Sequence, residues 1–323
     1  MVCQRGKNDM KKKLLVLLLA MLLLVSCACA EENRYAQVFD TAQDAGMLSI
    51  RFLWLGPQAP EAEDKPGDSM IITSPEGKVM VLDAGHPLSS DYVTDALDAM
   101  GITKIDCLVA SHPHIDHIGG FTMLMDRYEI GAVYTSELDY SSSSYYRAYM
   151  DAIAQKQLEH VILAEGDVIE FGESVRIDVY NPVKGVVPTE AEQKNRTEFI
   201  NNQSLALKFT YGESTIMLAG DLYVGGEKAI AARWGEALDC DVMKANHHGA
   251  NTSSSKVWRD AVSPQITFIT SDAIEDLSIA RKYTKNGQKM YHTLLDGSMV
   301  LRTAGQKDYA VVTEKDRTTD MFD

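Results

Sequence analysis

The sequence predicts a mixed α/β protein, folded as one large domain or two small ones. The chain has 323 residues, of which 45% are apolar, so it can bury a sizeable core. Short apolar stretches with strand character are interspersed with amphipathic helical stretches. These stretches fall into two strand-rich halves, and the sequence contains no internal repeat or low-complexity tract.

The N-terminal stretch is typical of an export signal. Lys11-Lys12-Lys13 precedes an apolar run, 14–25, that is too short for a comfortable transmembrane helix. Leu24-Val25-Ser26-Cys27 resembles a bacterial lipobox, which predicts a lipoprotein-type signal at 1–26 and lipidation of Cys27. The alternative is ordinary cleavage after Ala30. Both interpretations place the protein outside the cytoplasm, and the lipobox predicts an anchor at the cell surface.

The domain prediction follows from where strand patterns begin and end. Residues 27–46 are polar and Ala-rich, which indicates a tether or a short helix. A single domain is predicted over 47–314, followed by a tail over 315–323. Residues 183–200 are polar and read as irregular. Cys107 and Cys240 are expected to be buried thiols rather than a disulfide pair.

Apolar runs and alternation, bounded by Gly-containing turns, predict the elements inside this domain. The predicted strands are 48–55, 70–74, 79–82, 105–110, 132–134, 161–163, 168–171, 175–180, 205–211, 214–218, 242–245, 266–270, 299–302 and 309–313. The predicted helices are 91–100, 119–128 and 145–156.

Charge restricts the functions that fit this chain. The formal charge is −15, and the chain after residue 26 has 26 basic and 45 acidic residues, a formal charge of −19. Such a surface does not attract polyanions over long distances, which argues against a dedicated DNA-binding protein. No Gly-rich nucleotide loop or Ser-His-Asp arrangement is evident.

The most informative stretch is Ser111-His112-Pro113-His114-Ile115-Asp116-His117, which directly follows the predicted strand 105–110. It places three of the eight histidines and one carboxylate within six residues. Imidazole and carboxylate are the ligands that zinc and manganese prefer. A loop at a strand end can direct His112 and His114 one way and Asp116 and His117 the other, so the spacing suits two adjacent metal ions.

This His-x-His-x-Asp-His motif after an apolar strand resembles the metallo-β-lactamase superfamily. A strand, Gly67-Asp68-Ser69, a hairpin and Leu82-Asp83-Ala84-Gly85 all precede the motif, an order similar to the ComEC-like metallo-hydrolase domains. The resemblance covers roughly 48–313 and implies a four-layer αββα sandwich. An acidic insertion before Gly67 departs from the family pattern and is expected to alter the rim of the site.

The resemblance implies a set of ligands for two divalent ions, zinc or manganese. His112 and His114 would bind the first ion, Asp116, His117 and a later histidine the second, and Asp221 would bridge both. Strand 242–245 leads into Asn246-His247-His248-Gly249. We favour His247 as the later ligand, because it is closer to the strand end.

Five further polar residues receive supporting roles. His248 or Lys244 would assist the leaving group, and Asp83 would orient ligands or merely form a turn. The pattern Asn-x-x-Ser at Asn201 and Ser204 stands where many superfamily members have another metal-binding histidine. An amide is a weak zinc ligand, so we expect the first ion to be loosely held.

These expectations predict an extracytoplasmic, two-metal hydrolase with phosphodiesterase or nuclease activity of the ComEC-like type. The expected substrate is a small phosphoryl compound or a nucleic acid fragment, with a lipid anchor as the membrane contact and no protein partner. One alternative is hydrolysis of a lactone, β-lactam or thioester on the same fold. Another is a non-catalytic surface lipoprotein that binds metal or ligand.

Overall fold

The structure, a computed structural model, describes residues 34–317. Its fifteen strands in that range form two sheets. The strands are β1 Leu48–Phe52, β2 Ser69–Thr73, β3 Val79–Ala84, β4 Lys104–Val109, β5 Glu129–Ser136, β6 Glu159–Leu163, β7 Val168–Phe171, β8 Val175–Asn181, β9 Ala206–Tyr211, β10 Ser214–Ala219, β11 Val242–Lys244, β12 Ile266–Ile269, β13 Lys289–His292, β14 Met299–Thr303 and β15 Ala310–Thr313.

Ten α-helices lie between these strands. They are α1 Ser90–Ala99, α2 Ile115–Ile118, α3 Phe121–Arg127, α4 Ser144–Gln155, α5 Glu190–Lys194, α6 Arg196–Asn202, α7 Val224–Trp234, α8 Lys256–Val262, α9 Leu277–Lys282 and α10 Thr293–Asp296. Short 3-10 turns occur at Pro87–Ser89, Gly235–Leu238, Asn246–Gly249 and Lys285–Gly287.

Both sheets combine an antiparallel part with a parallel part. The first sheet has the order β15-β14-β1-β2-β3-β4-β5-β6, and the second has the order β13-β12-β11-β10-β9-β8-β7. In the first sheet β3 to β6 are parallel, and in the second β10 to β13 are parallel. Loops that follow parallel strands gather at one sheet edge, which is where ligands bind in such sheets.

Three apolar clusters show that the sheets and helices form four layers. The central cluster contains side chains from strands of both sheets, among them Phe52 and Phe268, whose rings stack at 4.1 Å. A second cluster packs α1, α3 and α4 on the outer face of the first sheet. A third packs α7, α8 and α9 on the outer face of the second. The predicted αββα sandwich is therefore confirmed.

The predicted elements agree with the structure in the first half and fall short in the second. The structure adds β13 and the helices α7, α8 and α9, and it places α5 and α6 in the stretch 183–200 that was predicted to be irregular. The predicted helix 119–128 begins only at Phe121, because Gly119-Gly120 forms a turn between α3 and the short helix α2 before it. Cys107 and Cys240 are free, buried thiols, as predicted.

The segment before β1 packs against the first sheet from residue 34 onward. Residues 34–39 are helical, and Val38 is fully buried. The buried Asp44 pairs with Arg51 at 2.8 Å and with Arg302 at 2.8 Å. Residues 34–46 thus belong to the packed structure, and of the two expectations, a tether or a short helix, the short helix describes 34–39. The predicted signal, Cys27 and most of the predicted tail lie outside the described residues.

Candidate metal centre

The His-rich loop is fastened to the sheet by a buried aspartate at the end of β3. Asp83 accepts hydrogen bonds from the Ser111 amide and the Ser111 hydroxyl, both at 2.7 Å. Its backbone is in the left-handed region, with φ 60°, which turns the chain after the strand. The loop can therefore present its imidazoles from a fixed position at the sheet edge.

His117 is directed toward the interior of the site by the same aspartate. Its Nδ1 lies 2.8 Å from Asp83 Oδ2, and its Nε2 lies 3.2 Å from Asp221 Oδ2 and 3.6 Å from Asp116 Oδ2. Burial lowers the His117 pKa, but the three carboxylates outweigh it and raise that pKa well above the usual value. Burial also raises the Asp83 pKa, against the lowering effect of His117.

His248 is held in the same manner from the other sheet. Its Nδ1 lies 3.1 Å from Asp68 Oδ1 and 3.0 Å from the Thr270 carbonyl oxygen. Its Nε2 lies 3.4 Å from one oxygen each of Asp116 and Asp221. Burial lowers the His248 pKa, but Asp221 and Asp68 raise it well above its ordinary value.

Asp68 had no predicted role, although Gly67-Asp68-Ser69 was recognised as part of the motif order. Asp68 is fully buried, pairs with the Lys244 ammonium at 2.5 Å and accepts a hydrogen bond from the Thr270 hydroxyl. Burial raises the Asp68 pKa, yet Lys244 and His248 hold it below its ordinary range. Gly67 is required beside it, since a Cβ there would come within 1.6 Å of the Asp116 carbonyl oxygen.

This contact explains the position of Lys244. Its side chain is fully buried, pairs with Asp68 and donates to the backbone oxygens of Ala219 and Ala245. Burial lowers the Lys244 pKa, but Asp68 raises it above the usual value. Lys244 does not line the open cavity. The predicted role in leaving-group assistance is contradicted by this position, and Lys244 instead fixes Asp68.

His112 and His114 form the other side of the site. His112 Nε2 lies 3.0 Å from His114 Nδ1 and 3.9 Å from Asp221 Oδ2. The Ser111 hydroxyl lies 3.1 Å from His112 Nδ1, and the His114 ring meets Tyr140 edge-on at 5.7 Å. Burial lowers the pKa of both imidazoles.

His247 faces the cavity, in contrast to its buried neighbour. Its side chain is 18% exposed, and its Nε2 lies 3.7 Å from Asp221 Oδ2. Its Nδ1 contacts the Thr252 hydroxyl, and its ring lies 4.7 Å from that of Tyr223. Burial lowers the His247 pKa to about 4. The distances favour His248, with its anchored ring between two carboxylates, as the partner of Asp116 and His117, the reverse of the sequence-based preference.

Asn201 and Ser204 also lie at the site. The Ser204 hydroxyl accepts a hydrogen bond from the Asp221 amide at 3.0 Å, which fixes the turn after β10. Asn201 is 1% exposed and lines the cavity, and its Oδ1 has no hydrogen-bond partner within residues 34–317. The structure thus brings together all the predicted site residues between 83 and 248.

The cavity above these residues has a volume of about 890 Å³. One part of its rim is the acidic insertion, with Glu61, Glu63 and Asp64, and another part carries Tyr140 and Tyr145. Burial and the nearby Asp116 raise the pKa of Asp64. The insertion therefore places negative charge at the entrance, as the sequence led us to expect.

The donor set fits divalent cations. Asp68, His117, Asp221 and His248 each offer a ligand atom, and these atoms lie within 4.8 Å of one another. His117 Nε2, His248 Nε2 and Asp221 Oδ1 are buried and have no hydrogen-bond partner among the described residues. Both Asp68 oxygens already contact Lys244, His248 or Thr270, whereas Asp116 Oδ2 faces both imidazoles. We therefore expect Asp116 to be the ligand and Asp68 to orient His248.

Comparison with known families agrees with this site. Residues 62–193 match the family model of the Metallo-beta-lactamase superfamily. The resemblance inferred from the motif is confirmed by this match. Proteins of this superfamily are generally metal-dependent hydrolases, and at that level the predicted enzyme class is confirmed as well.

Two curated relatives match about two thirds of this chain at low identity. The chain is 26% identical over 212 residues to Competence protein ComA of Neisseria gonorrhoeae, covering 64% of this chain and 26% of the relative. It is 24% identical over 222 residues to ComE operon protein 3 of Bacillus subtilis (strain 168), covering 64% and 27%. The chain spans about a quarter of the length of these relatives.

Solved structures align with this chain at low identity. The metallo-beta-lactamase fold protein YhfI from Bacillus subtilis aligns with TM-score 0.49 and 10% identity, covering 80% of this chain and 100% of that one. A diphosphatase from the PhnP family aligns with TM-score 0.45 and 13% identity, covering 76% of this chain and 95% of that one.

Within residues 34–317, no helix has both the length and the apolar character needed to cross a membrane.

Proposed function

We propose that this protein is a two-metal phosphodiesterase that acts outside the cytoplasm. One observation carries the proposal: two imidazoles from different sheets, each anchored by its own buried aspartate, direct unpartnered Nε2 atoms toward the same two carboxylates. This is the arrangement by which proteins orient metal-binding histidines. The proposal follows from it because a hydrogen-bonded core would not leave such atoms without partners.

Each ion would have its own set of residues. Asp116, His117 and His248 would hold one ion, and His112 and His114 the other. Asp221 Oδ2 lies within 3.9 Å of a nitrogen of His112, His117, His247 and His248, so this carboxylate suits a position shared by both ions. Bound divalent ions would lower the pKa of water and stabilise negative charge as it develops on a phosphoryl group.

The remaining residues of the site would position the substrate. The unpartnered Asn201 Oδ1 and the partly exposed His247 face the cavity, so both can hydrogen-bond a bound molecule. Asp83 and Asp68 fix the two rings behind the ions, while Lys244 balances the charge of Asp68. His248 would then belong to the metal centre. We therefore assign the contact with the leaving group to His247, which lies on the cavity wall.

The choice of a phosphodiester rests on three observations. Imidazole-carboxylate centres with two ions suit in-line displacement at phosphorus. One relative by sequence is a competence protein, and the acidic rim with Glu61, Glu63 and Asp64 favours a small diester or short fragment over long nucleic acid. The predicted signal and Cys27 anchor support a position outside the cytoplasm.

A substrate panel tests the proposal. Purified protein is supplied with Zn²⁺ or Mn²⁺ and assayed on bis-p-nitrophenyl phosphate, a short oligonucleotide, a chromogenic β-lactam and a lactone. We expect metal-stimulated turnover on the phosphodiesters, absent in Asp221→Ala. Turnover confined to the β-lactam or lactone would establish the carbonyl-hydrolase alternative instead. Ligand binding that survives Asp221→Ala without any turnover would favour the non-catalytic lipoprotein.

A further inference from the structure

A second cavity, separate from the metal centre, lies on the outer helical layer of the second sheet. It has a volume of about 470 Å³ and is enclosed by α8, α9 and the 3-10 turn at Lys285–Gly287. None of its lining residues also lines the cavity at the metal centre. Four of them are cationic, namely Lys256, Arg259, Lys282 and Lys285, and one is acidic, Asp260.

The single acid does not neutralise these cations. Asp260 pairs with Lys256, one turn earlier on α8. Arg259 uses its Nε to donate to the Ser254 carbonyl oxygen, and its two terminal nitrogens have no partner within residues 34–317. In the same part of the chain, Lys282 and Lys285 form no ion pair or hydrogen bond through their ammonium groups. The pKa of Asp276 is lowered mainly by hydrogen bonds from Ser278, and the Lys282 charge lowers it further.

This local excess of positive charge contrasts with the rest of the surface. The chain carries a formal charge of −15, and several cations elsewhere on the surface are paired with an acid. Lys78 pairs with Asp106 at 3.1 Å, Lys104 with Glu129 at 2.9 Å and Lys156 with Asp126 at 2.8 Å. Arg259, Lys282 and Lys285 line one cavity and form no ion pair within residues 34–317, so a bound anion would interact favourably with all three charges.

The geometry of the donors indicates the kind of anion. A guanidinium presents a planar fork that matches phosphate oxygens, and lysines add mobile point charges. The volume lies within the range of small-ligand sites. From these contacts we propose that this cavity binds a ligand with at least two phosphate groups, independently of the activity at the metal centre. Such groups occur in a free diphosphate and as neighbouring phosphates of a nucleic acid strand.

The floor of the cavity also connects to the metal centre, which determines the choice of test variants. The Tyr283 hydroxyl donates to Ser254 Oγ at 2.7 Å, and the Ser254 amide donates to Glu227 at 2.7 Å. Glu227 accepts a hydrogen bond from Asn246, the residue before His247. Replacing Arg259 would disturb this chain of contacts, so the test uses the two lysines, whose ammonium groups contribute no fold contact.

The test compares Lys282→Ala/Lys285→Ala with the control Lys104→Ala/Lys156→Ala, which removes the same charge elsewhere. Calorimetric titrations of the metal-loaded proteins use orthophosphate, pyrophosphate and a twelve-residue oligothymidine. We expect pyrophosphate or oligothymidine to bind at least tenfold more weakly to the first variant than to the wild type, and unchanged to the control. If binding of pyrophosphate is weakened, a free diphosphate is a sufficient ligand. If only binding of oligothymidine is weakened, the ligand is a nucleic acid strand.

Three results would overturn the proposal. Equal affinities in wild type and both variants would place any anion binding at the metal centre. Equal weakening in both variants would show a general charge effect. Orthophosphate binding as tight as that of pyrophosphate would contradict the requirement for two phosphates. Turnover of bis-p-nitrophenyl phosphate is measured in parallel and should be unchanged in Lys282→Ala/Lys285→Ala. Failure of the proposed anion site can therefore be distinguished from failure of the proposed hydrolase.

Discussion

The two sides of the metal centre differ in how their imidazoles are held. On one side, which we call the anchored side, His117 and His248 each place Nδ1 against a fully buried aspartate. On the other, the open side, His112 and His114 contact each other, and His112 also contacts the Ser111 hydroxyl, with no carboxylate hydrogen-bonded behind either ring among the described residues. The same residue type therefore has two different surroundings within one site.

This difference distinguishes imidazoles that are oriented before a metal ion binds from imidazoles that are only close to its position. A carboxylate behind an imidazole fixes its tautomer and raises its basicity, so the ligand is in place before the ion arrives. On the open side the rings must be ordered by the ion itself, which costs conformational entropy. The anchored side should consequently bind its ion more tightly than the open side.

The largest effect is expected from the residue shared by both sides. Asp221→Ala removes the oxygen that lies near four imidazoles, so both ions should be lost and hydrolysis should fall to background. Metal content after desalting and turnover of bis-p-nitrophenyl phosphate measure this. A variant that keeps two ions and normal turnover would show that Asp221 is not shared.

The anchoring aspartates come next. Asp68→Asn removes the charge behind His248 and leaves the buried Lys244 without a counter-ion, so affinity for one ion should fall about 10- to 100-fold. Asp83→Asn should act similarly through His117. The control Asp126→Asn changes an exposed carboxylate paired with Lys156. Competition titrations with a chelator measure the affinities, and an Asp68→Asn protein that matches the control would contradict the anchoring role.

The pH dependence should also distinguish the two sides. In the metal-free protein, carboxylates raise the pKa of His117 and His248, so both rings keep protons that an ion must displace. Affinity of the anchored side should therefore rise with pH through those raised pKa values. Burial lowers the pKa of His112 and His114, so they are already neutral at pH 7.

Calorimetry in two buffers of different ionisation enthalpy counts the protons released. We expect release with the first, tighter ion and little with the second. Proton release of equal size for both ions would remove this distinction between the sides.

A smaller effect is expected from the support of the His-His turn. Glu227 is fully buried and accepts hydrogen bonds from Asn246, Ser254 and Ser255. Glu227→Gln weakens charge-assisted bonds, so the free energy of unfolding should fall by about 2 kcal/mol and affinity for the tighter ion severalfold. Glu236→Gln, at an exposed position, is the control. A loss of stability without any change in affinity would limit Glu227 to the fold.

The convergence of His112, His114, His117 and Asp221 at one site could be predicted from the sequence because their signals are local. His112 to His117 lie within six residues, and Asp221 directly follows an apolar strand. Asp68 could not be assigned, because its partner His248 lies 180 residues away. The choice between His247 and His248 depends on two consecutive residues with φ of 48° and 55°, which no sequence pattern specified.

The helices missed in the second half have a physical explanation too. α8 and α9 have seven and six residues, too few for a clear apolar period, and they are fixed by packing on the sheet. The segment before β1 was predicted as a tether or short helix, because its role depends on Arg51 and Arg302, which reach it from the sheet. Tertiary contacts of this kind are invisible in a local pattern.

Metal content after equilibrium dialysis tests the difference between the two sides most directly. Wild type, His112→Ala and His117→Ala are dialysed against limiting and then excess Zn²⁺, and bound zinc is counted per chain. We predict that wild type and His112→Ala retain one tight ion at limiting zinc, whereas His117→Ala retains none. Retention of a tight ion by His117→Ala and its loss from His112→Ala would contradict the account.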